Sequence, residues 1–423
     1  MNRRPTPQAF GLATLLAWSL FLGILCDRLE LLVAAIPLAI GFLSANGSRP
    51  LPRFALTHTL SEERLVEGQP ATVNLRLKTE GAIPAVELLS VLPRQLFLVS
   101  GTTRTLQHME AGAEAAWSFE VRCPTRGRFD LGLTLLRFWD RSGLWVIETR
   151  LSQSVEIAVY PAIERLRHVP RPLRTHSSFG NYLSPRVGEG IEPGELRPFA
   201  SGDRIRRVNW RATARRDQLY VTRFQEERNA DVIVLLDTLS DCGSSPHSTL
   251  DVGVRAAAAL AHAYLARKDR VGFIEFGAFL RWISPGAGRR QVEVITEALL
   301  PAATHFSYVA PRLDRVPPRI LPPDALVIAL SPVLDQRFVD ALMDLLARRF
   351  DVIVLAISPV HATRRSLADS AIDVLACRIW TVEWHAKLDA LRRRGVAVAE
   401  WDGAASLEAT LAPFHHRQRT VSR

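Results

Sequence analysis

The chain opens on about 18 residues without a charge, AFGLATLLAWSLFLGILC from Ala9 to Cys26, close to the roughly 20 apolar residues a helix needs to cross a bilayer. A short polar break, Asp27-Arg28-Leu29-Glu30, precedes LLVAAIPLAIGFLSA, a run of about 15 apolar residues that suits the return arm of a tight hairpin. Together they predict a membrane anchor of two transmembrane helices over residues 1–48. A cleaved signal peptide is the competing reading of the first run, since Arg3 and Arg4 precede it. The run's length, the lack of a small-residue cleavage site and the second apolar run argue for the hairpin. With Arg3 and Arg4 before the first helix and Arg49 and Arg53 after the second, the positive-inside rule puts both ends in the cytoplasm. An integral protein of the cytoplasmic membrane, its soluble domains facing the cytoplasm, is expected.

The pattern then changes twice. Over residues 49–162 short alternating segments, among them ATVNLRL, AVELLSVL, AAWSFEVR and VEIAVY, are separated by Gly and Pro turns, which predicts an antiparallel, immunoglobulin-like β-sandwich. Within it RGRFDLGLTLLRFWDRSGLW, Arg126 to Trp145, reads as a strand pair turning at Asp140-Arg141-Ser142-Gly143. Over residues 230–415 apolar runs rich in Val and Ile (231–237, 270–276, 325–331, 351–358 and 396–402) alternate with amphipathic stretches. Runs apolar on both faces belong to a buried parallel sheet, so a doubly wound α/β domain is predicted, followed by a tail at 416–423. Ligands of such sheets bind beyond the carboxyl ends of the strands. Here that edge is built by Asp237-Thr238-Leu239-Ser240-Asp241 and Ser331-Pro332-Val333-Leu334-Asp335.

Composition adds little to this picture. A net charge of +10 suits nucleic acid, an anionic membrane surface and an acidic protein equally well. Four widely spaced cysteines, Cys26, Cys123, Cys242 and Cys377, form no C-x-x-C pair, which speaks against a zinc site or a disulfide framework and for a reducing compartment. The histidines fall in no H-E-x-x-H context, and neither G-x-S-x-G nor a Gly-rich phosphate loop is present, so a non-enzymatic role is expected.

Residues 163–229 hold a linker and the most unusual stretch of the chain, GELRPFASGDRIRRVNWRATARR. Six arginines follow Asp203 within thirteen residues, with no acid among them. Asp203 suits the N-cap of a helix beginning near Arg204, and Gly202 permits a close approach of the chain before it. A helix over 204–216 lines up Ile205, Val208 and Ala212 on one face, Arg206, Trp210 and Thr213 on a second, and Arg207 and Arg211 on a third. Three uses fit: packing and ion pairing, with Glu195 clamping Arg197 or Arg206; a partner surface at Arg207 and Arg211; or binding of nucleic acid or another anion. The amphipathic arrangement favours the first, with Arg206 and Trp210 holding two domains together.

The order of parts resembles the bacterial family called domain of unknown function 58: a membrane hairpin, a sandwich carrying RGRFDLGLTLLRFWDRSGLW, the Arg-rich segment, and a strand ending LLDT. The most specific match is the pattern met by Arg197, Phe199, Gly202, Asp203, Arg206, Trp210, Ala214 and Arg215. Family members usually carry Tyr where Phe199 stands, and Pro-Phe where Arg141 and Ser142 stand. The resemblance implies a von Willebrand factor A-like C-terminal domain. It also implies partnership with a MoxR-type AAA+ ATPase and other von Willebrand A-like proteins, in cell-envelope or complex-maturation work. Metal-binding members of that superfamily end their first strand in D-x-S-x-S and carry a further aspartate after a later strand. This chain has Asp237, but Leu239 at the first serine, Asp241 at the second, and Pro332 where the later aspartate is expected. Leucine and proline side chains offer a cation no oxygen, so a Mg²⁺ site of the usual type is not expected; Asp237, Ser240 and Asp241 are what is left of it. The expected role is a membrane-tethered scaffold or adaptor that docks a protein partner. Anionic-ligand or nucleic-acid binding by the Arg-rich segment, and metal-dependent ligand binding at Asp237, are the alternatives.

Overall fold

A computed structural model describes residues 2–46, 53–153, 155–170, 176–200, 205, 208–216, 218–309, 311–368 and 370–415. They form a mixed α/β protein of two compact units, residues 1–160 and 161–423.

In the first unit a short strand β1 (Asn2–Pro5) leads into helix α1 (Pro7–Leu25), and α2 (Leu29–Asn46) returns against it. The turn between them uses Asp27 at φ 51°, a left-handed position that Asp tolerates better than most residues. Gly23 permits the contact between helices, because a Cβ there would meet Leu32 Cδ2 at 2.7 Å, and Ser19 Oγ donates to the Leu31 carbonyl at 2.7 Å. Helix α1 is long and apolar enough to cross a membrane; the apolar part of α2, Leu29–Ser44, is shorter.

The remaining strands of this unit are β2 (Phe54–Leu60), β3 (Arg64–Val66), β4 (Pro70–Thr79), β5 (Ile83–Ser90), β6 (Phe97–Gly101), β7 (Arg104–Met109), β8 (Glu114–Arg122), β9 (Gly127–Asp130), β10 (Leu133–Trp139), β11 (Trp145–Ser152) and β12 (Glu156–Tyr160). They build sheets of order β1-β11-β10-β5-β7, β2-β4-β8-β6 and β3-β12-β9. Alternate residues such as Val73, Leu75 and Leu77 of β4, Phe119 and Val121 of β8, and Leu136 and Phe138 of β10 share one buried core. That is the period of two expected of strands with one covered face.

Strand β1 was not legible in the pattern. It pairs with β11, so Arg3 stacks over Trp145 at 4.2 Å and Arg4 meets Glu148 at 3.7 Å rather than standing only as flanking charges. The turn at 140–143 receives the start of α1: Thr6 Oγ1 donates to the Gly143 carbonyl at 2.8 Å and accepts from Ala9 N–H at 3.3 Å, while Ala9 packs on Leu144. Thr6→Ala removes this cap and is expected to cost about 1 kcal/mol locally. Faster amide exchange at Ala9 and Phe10, with the β4 and β8 amides unchanged, is the result to look for.

The second unit centres on a six-stranded sheet of order β17-β16-β15-β18-β19-β20. Before it come an antiparallel pair, β13 (His176–Pro198) with β14 (Tyr220–Asn229), and a short helix between them, α3 (Trp210–Arg216). The sheet strands are β15 (Asp231–Asp237), β16 (Arg270–Phe276), β17 (Leu280–Gly286), β18 (Leu326–Ser331), β19 (Asp351–Ile357) and β20 (Ala397–Trp401). All five expected strands are present and parallel; β17 is an added antiparallel edge. Val232, Val234 and Leu236 face one core with α4 (Thr249–Ala266), α5 (Arg289–Leu299) and α9 (Leu407–Leu411). Ile233 and Leu235 face the other, with α6 (Gln336–Ala347) and α8 (Ala371–Arg393); a short α7 (Pro359–Arg364) precedes α8. Part of the expected linker belongs to this unit: Val169 lies in its core and Tyr264 Oη donates to the Pro170 carbonyl at 2.6 Å.

The Arg-rich segment differs from expectation. Its helix begins at Trp210, not near Arg204. β-Branched Val208 instead bridges to Val221, and Asn209 caps the helix, its Oδ1 accepting from Ala212 N–H at 3.1 Å. Ile205 is 71% exposed, so the expected apolar face of Ile205, Val208 and Ala212 does not form. Trp210 is 64% exposed, which removes the expectation that it is buried as packing. Gly202, Asp203, Arg206 and Arg207 lie outside the described residues, as does the Glu195 side chain.

Candidate functional site

The chain leaves β15 toward β16 and leaves β18 toward β19, so the crevice between β15 and β18 is the switch point of the sheet. Two side chains meet there. Asp237, at the end of β15, is buried; its Oδ2 accepts from Ser331 Oγ at 2.5 Å and its Oδ1 accepts from Leu239 N–H at 2.9 Å. Ser331, at the end of β18, in turn accepts from Val333 N–H at 2.8 Å. This last bond holds Val333 at φ 56°, a left-handed conformation that strains a β-branched residue. Trp384 of α8 donates its indole N–H to the Pro332 carbonyl at 2.8 Å, fixing the same turn from the other side.

Burial, more than any neighbour, pushes the Asp237 carboxyl up to about 7; the Ser331 and Leu239 hydrogen bonds oppose the shift, the Asp335 charge adds to it and Arg337 opposes it. Asp335 caps α6 and is forked by Arg337, whose Nε and Nη2 donate to it at 2.7–3.2 Å. The guanidinium holds the Asp335 carboxyl below the usual range. Arg337 Nη1 also donates to the Ser307 carbonyl at 2.7 Å and the Val309 carbonyl at 3.3 Å, tying the loop after α5 to this edge. On β16, buried Glu275 pairs with Arg281 of β17; desolvation raises its carboxyl and Arg281 opposes. Gly277 is required beside it, because a Cβ there would lie 2.0 Å from Thr238 Oγ1.

Of Asp237, Ser240 and Asp241, only Asp237 reaches this centre. Ser240 is half-buried, and Asp241 Oδ1 accepts from Thr249 Oγ1 and Leu250 N–H, both at 2.9 Å, at the start of α4. Leu239 is core, packed among the α6 and α8 residues. Among the described residues no three His, Cys, Asp or Glu side chains are grouped to hold a metal. In the Arg-rich segment Arg197 and Phe199 are half-buried; Arg197 Nη1 donates to the Pro198 carbonyl at 3.0 Å and Phe199 N–H to the Leu219 carbonyl at 2.7 Å. Arg211, Ala214 and Arg215 are exposed on α3.

The loops crowning the sheet edge carry a feature the sequence reading missed. Phe306 and Tyr308 are 83% and 91% exposed and stack edge-to-face at 4.7 Å, with Val309 beside them in the chain. Phe279, on the turn after β16, is 69% exposed and faces His305 at 6.3 Å. Exposed aromatics gathered on one edge are uncommon on a surface that stays in water. The clue was available in His305-Phe306-Ser307-Tyr308-Val309, an apolar-aromatic run with no period of helix or strand.

A family model described as "Protein of unknown function DUF58" matches residues 195–367, from the Arg-rich segment through α7. Among curated proteins, uncharacterized proteins of Mycobacterium tuberculosis and Mycobacterium bovis are each 30% identical over 129 residues, 29% of this chain. The chain spans 41% of the length of those relatives. Among solved structures, the cupredoxin domain of amoB from Nitrosocaldus yellowstonii aligns at a TM-score of 0.20 and 13% identity, covering 31% of this chain and all of that one. The C-terminal domain of wzt aligns at 0.18 and 11%, covering 28% of this chain and 83% of that one. At such scores neither alignment assigns a fold.

Proposed function

We propose that this protein is a membrane-tethered, non-enzymatic adaptor that docks a protein partner on the carboxyl edge of a von Willebrand A-like sheet. The observation that carries the reading is the exposed Phe279, Phe306, Tyr308 and Val309 cluster, whose 307–309 loop is tied through Arg337 to Asp335 at the same sheet edge. Aromatic side chains on a rigid base are the usual energetic centres of protein interfaces. The partner, on the family resemblance, is a MoxR-type AAA+ ATPase, and the apolar α1 supports a body held at the membrane. A metal has no part in this proposal. Both Asp237 oxygens already accept hydrogen bonds, Asp335 is held by Arg337, and Leu239 and Pro332 supply no side-chain oxygen.

The test is affinity capture of the full chain from native membranes. The wild type is expected to enrich an AAA+ ATPase, and Phe306→Ser with Tyr308→Ser to lower the yield about tenfold without moving the thermal unfolding midpoint. A wild type that never enriches an ATPase sinks the reading, and so does a double variant that captures it unchanged.

A further inference from the structure

Helix α8 is amphipathic on two faces. One face, Cys377, Trp384, Leu388 and Leu391, is buried. The other carries Ile372, Leu375, Ile379 and Val382, which are 55–79% exposed. Their spacing of three, four and three residues is that of a coiled-coil seam, with Ile372 and Ile379 at a positions and Leu375 and Val382 at d positions. Among the described residues of the unit, none covers these four large aliphatic side chains on the outer face of the helix.

We propose that this stripe is a parallel self-association seam, occupied by α8 of a second copy of the same chain. The flanking charges choose the occupant. Counting Ile372 as a, the e positions are Ala376, Glu383 and Ala390, and the g positions are Ala371, Arg378 and His385. In a parallel pair each g residue faces the partner's e residue five positions on. Arg378 of one copy then meets Glu383 of the other, twice by symmetry, and every other such pair joins an alanine to an alanine or a histidine. An antiparallel pair brings g against g and e against e, so in any register Arg378 faces only Ala371, Arg378 or His385 and Glu383 faces no cation. Arg378 and Glu383 are both exposed, and His385 already pairs with Glu400 at 3.1 Å. Ile372 and Ile379 at a with Leu375 at the first d position favour two strands over three or four, a preference Val382 at the second d position does not share.

The seam is short, ending where Ala386 and Asp389 take the next a and d positions. Its helix is already folded on the sheet, so pairing bears no cost of helix nucleation. A two-fold pair of this kind closes on itself and does not propagate into a filament.

The test uses the full chain in detergent micelles. With Cys26→Ser removing the exposed native thiol, Ile379→Cys is expected to give a disulfide-linked dimer under mild oxidation, because a parallel register sets the same position of both copies side by side. Arg378→Glu alone lowers the dimer yield about tenfold, and Arg378→Glu with Glu383→Arg restores it. Leu375→Ser with Val382→Ser abolishes it while circular dichroism is unchanged. A monomer at every concentration overturns the proposal, as does a dimer indifferent to the charge reversals or to the seam substitutions. Seam-dependent capture of a different protein by a chain that stays monomeric also overturns it.

Discussion

Asp237→Asn is expected to stabilise the α/β unit by about 2 kcal/mol at pH 8 and to destabilise it by about 1–2 kcal/mol near pH 4. The reason is the carboxyl raised from 3.8 to about 7 by burial. Between those values the folded state holds a proton that the unfolded state has lost, so the group's contribution is whole below pH 3.8 and is lost as pH rises through 7. A separation of that size corresponds to on the order of 4 kcal/mol across the window. Asparagine keeps an oxygen for Leu239 N–H and removes the ionisation. It leaves the Ser331 hydroxyl without its carboxylate acceptor, which takes back about 1 kcal/mol or more. Raised Glu275 slopes with Asp237, and lowered Asp335, Asp402 and Glu408 slope the other way. The informative quantity is therefore the wild-type-minus-variant difference at each pH. Amide exchange of β15 and β18 in the full chain measures it, and parallel curves for the two proteins would refute the account.

What the sequence made legible follows from burial. Strands β15, β16, β18, β19 and β20 are covered on both faces, so each is a continuous apolar run that stands out from its surroundings. Strand β17, LRWISPG, is an edge with Arg281 and Trp282 turned outward and a Gly-Pro-rich end, and it leaves no such run. The arginine spacing of residues 204–216 suits a helix as well as a loop, and the choice fell to Val208, whose partner Val221 is brought in only by the β13–β14 pair. Asp237 could be read from its place at a strand end. Ser331, 94 residues away, could not be read as its partner before the sheet order was known. The aromatic edge has no period at all, because side chains in loops answer to no repeating geometry.

Trp384→Ala is expected to destabilise the α/β unit by about 3–5 kcal/mol, the largest effect of any single change considered. The indole is buried among Val333, Phe338 and Leu388, so its removal leaves a cavity between α8 and the sheet. It also deprives the Pro332 carbonyl of its donor, which Trp384→Phe isolates at a cost of about 1–2 kcal/mol while refilling most of the space. The turn it holds contains strained Val333 and ends the strand carrying Ser331, so loosening it lets water reach Asp237. The raised Asp237 carboxyl then falls back, and the alanine variant shows a flatter stability profile between pH 4 and 7 as well as a lower one. Chemical denaturation across that range, followed by amide exchange at β18, distinguishes a general loss of packing from this specific one. An alanine variant that is destabilised equally at every pH would mean that Trp384 fills space without governing the site. The outer face of α8 provides the control: Ile379→Ser removes a seam residue and is expected to leave the pH profile where it was, because Ile379 packs on neither core.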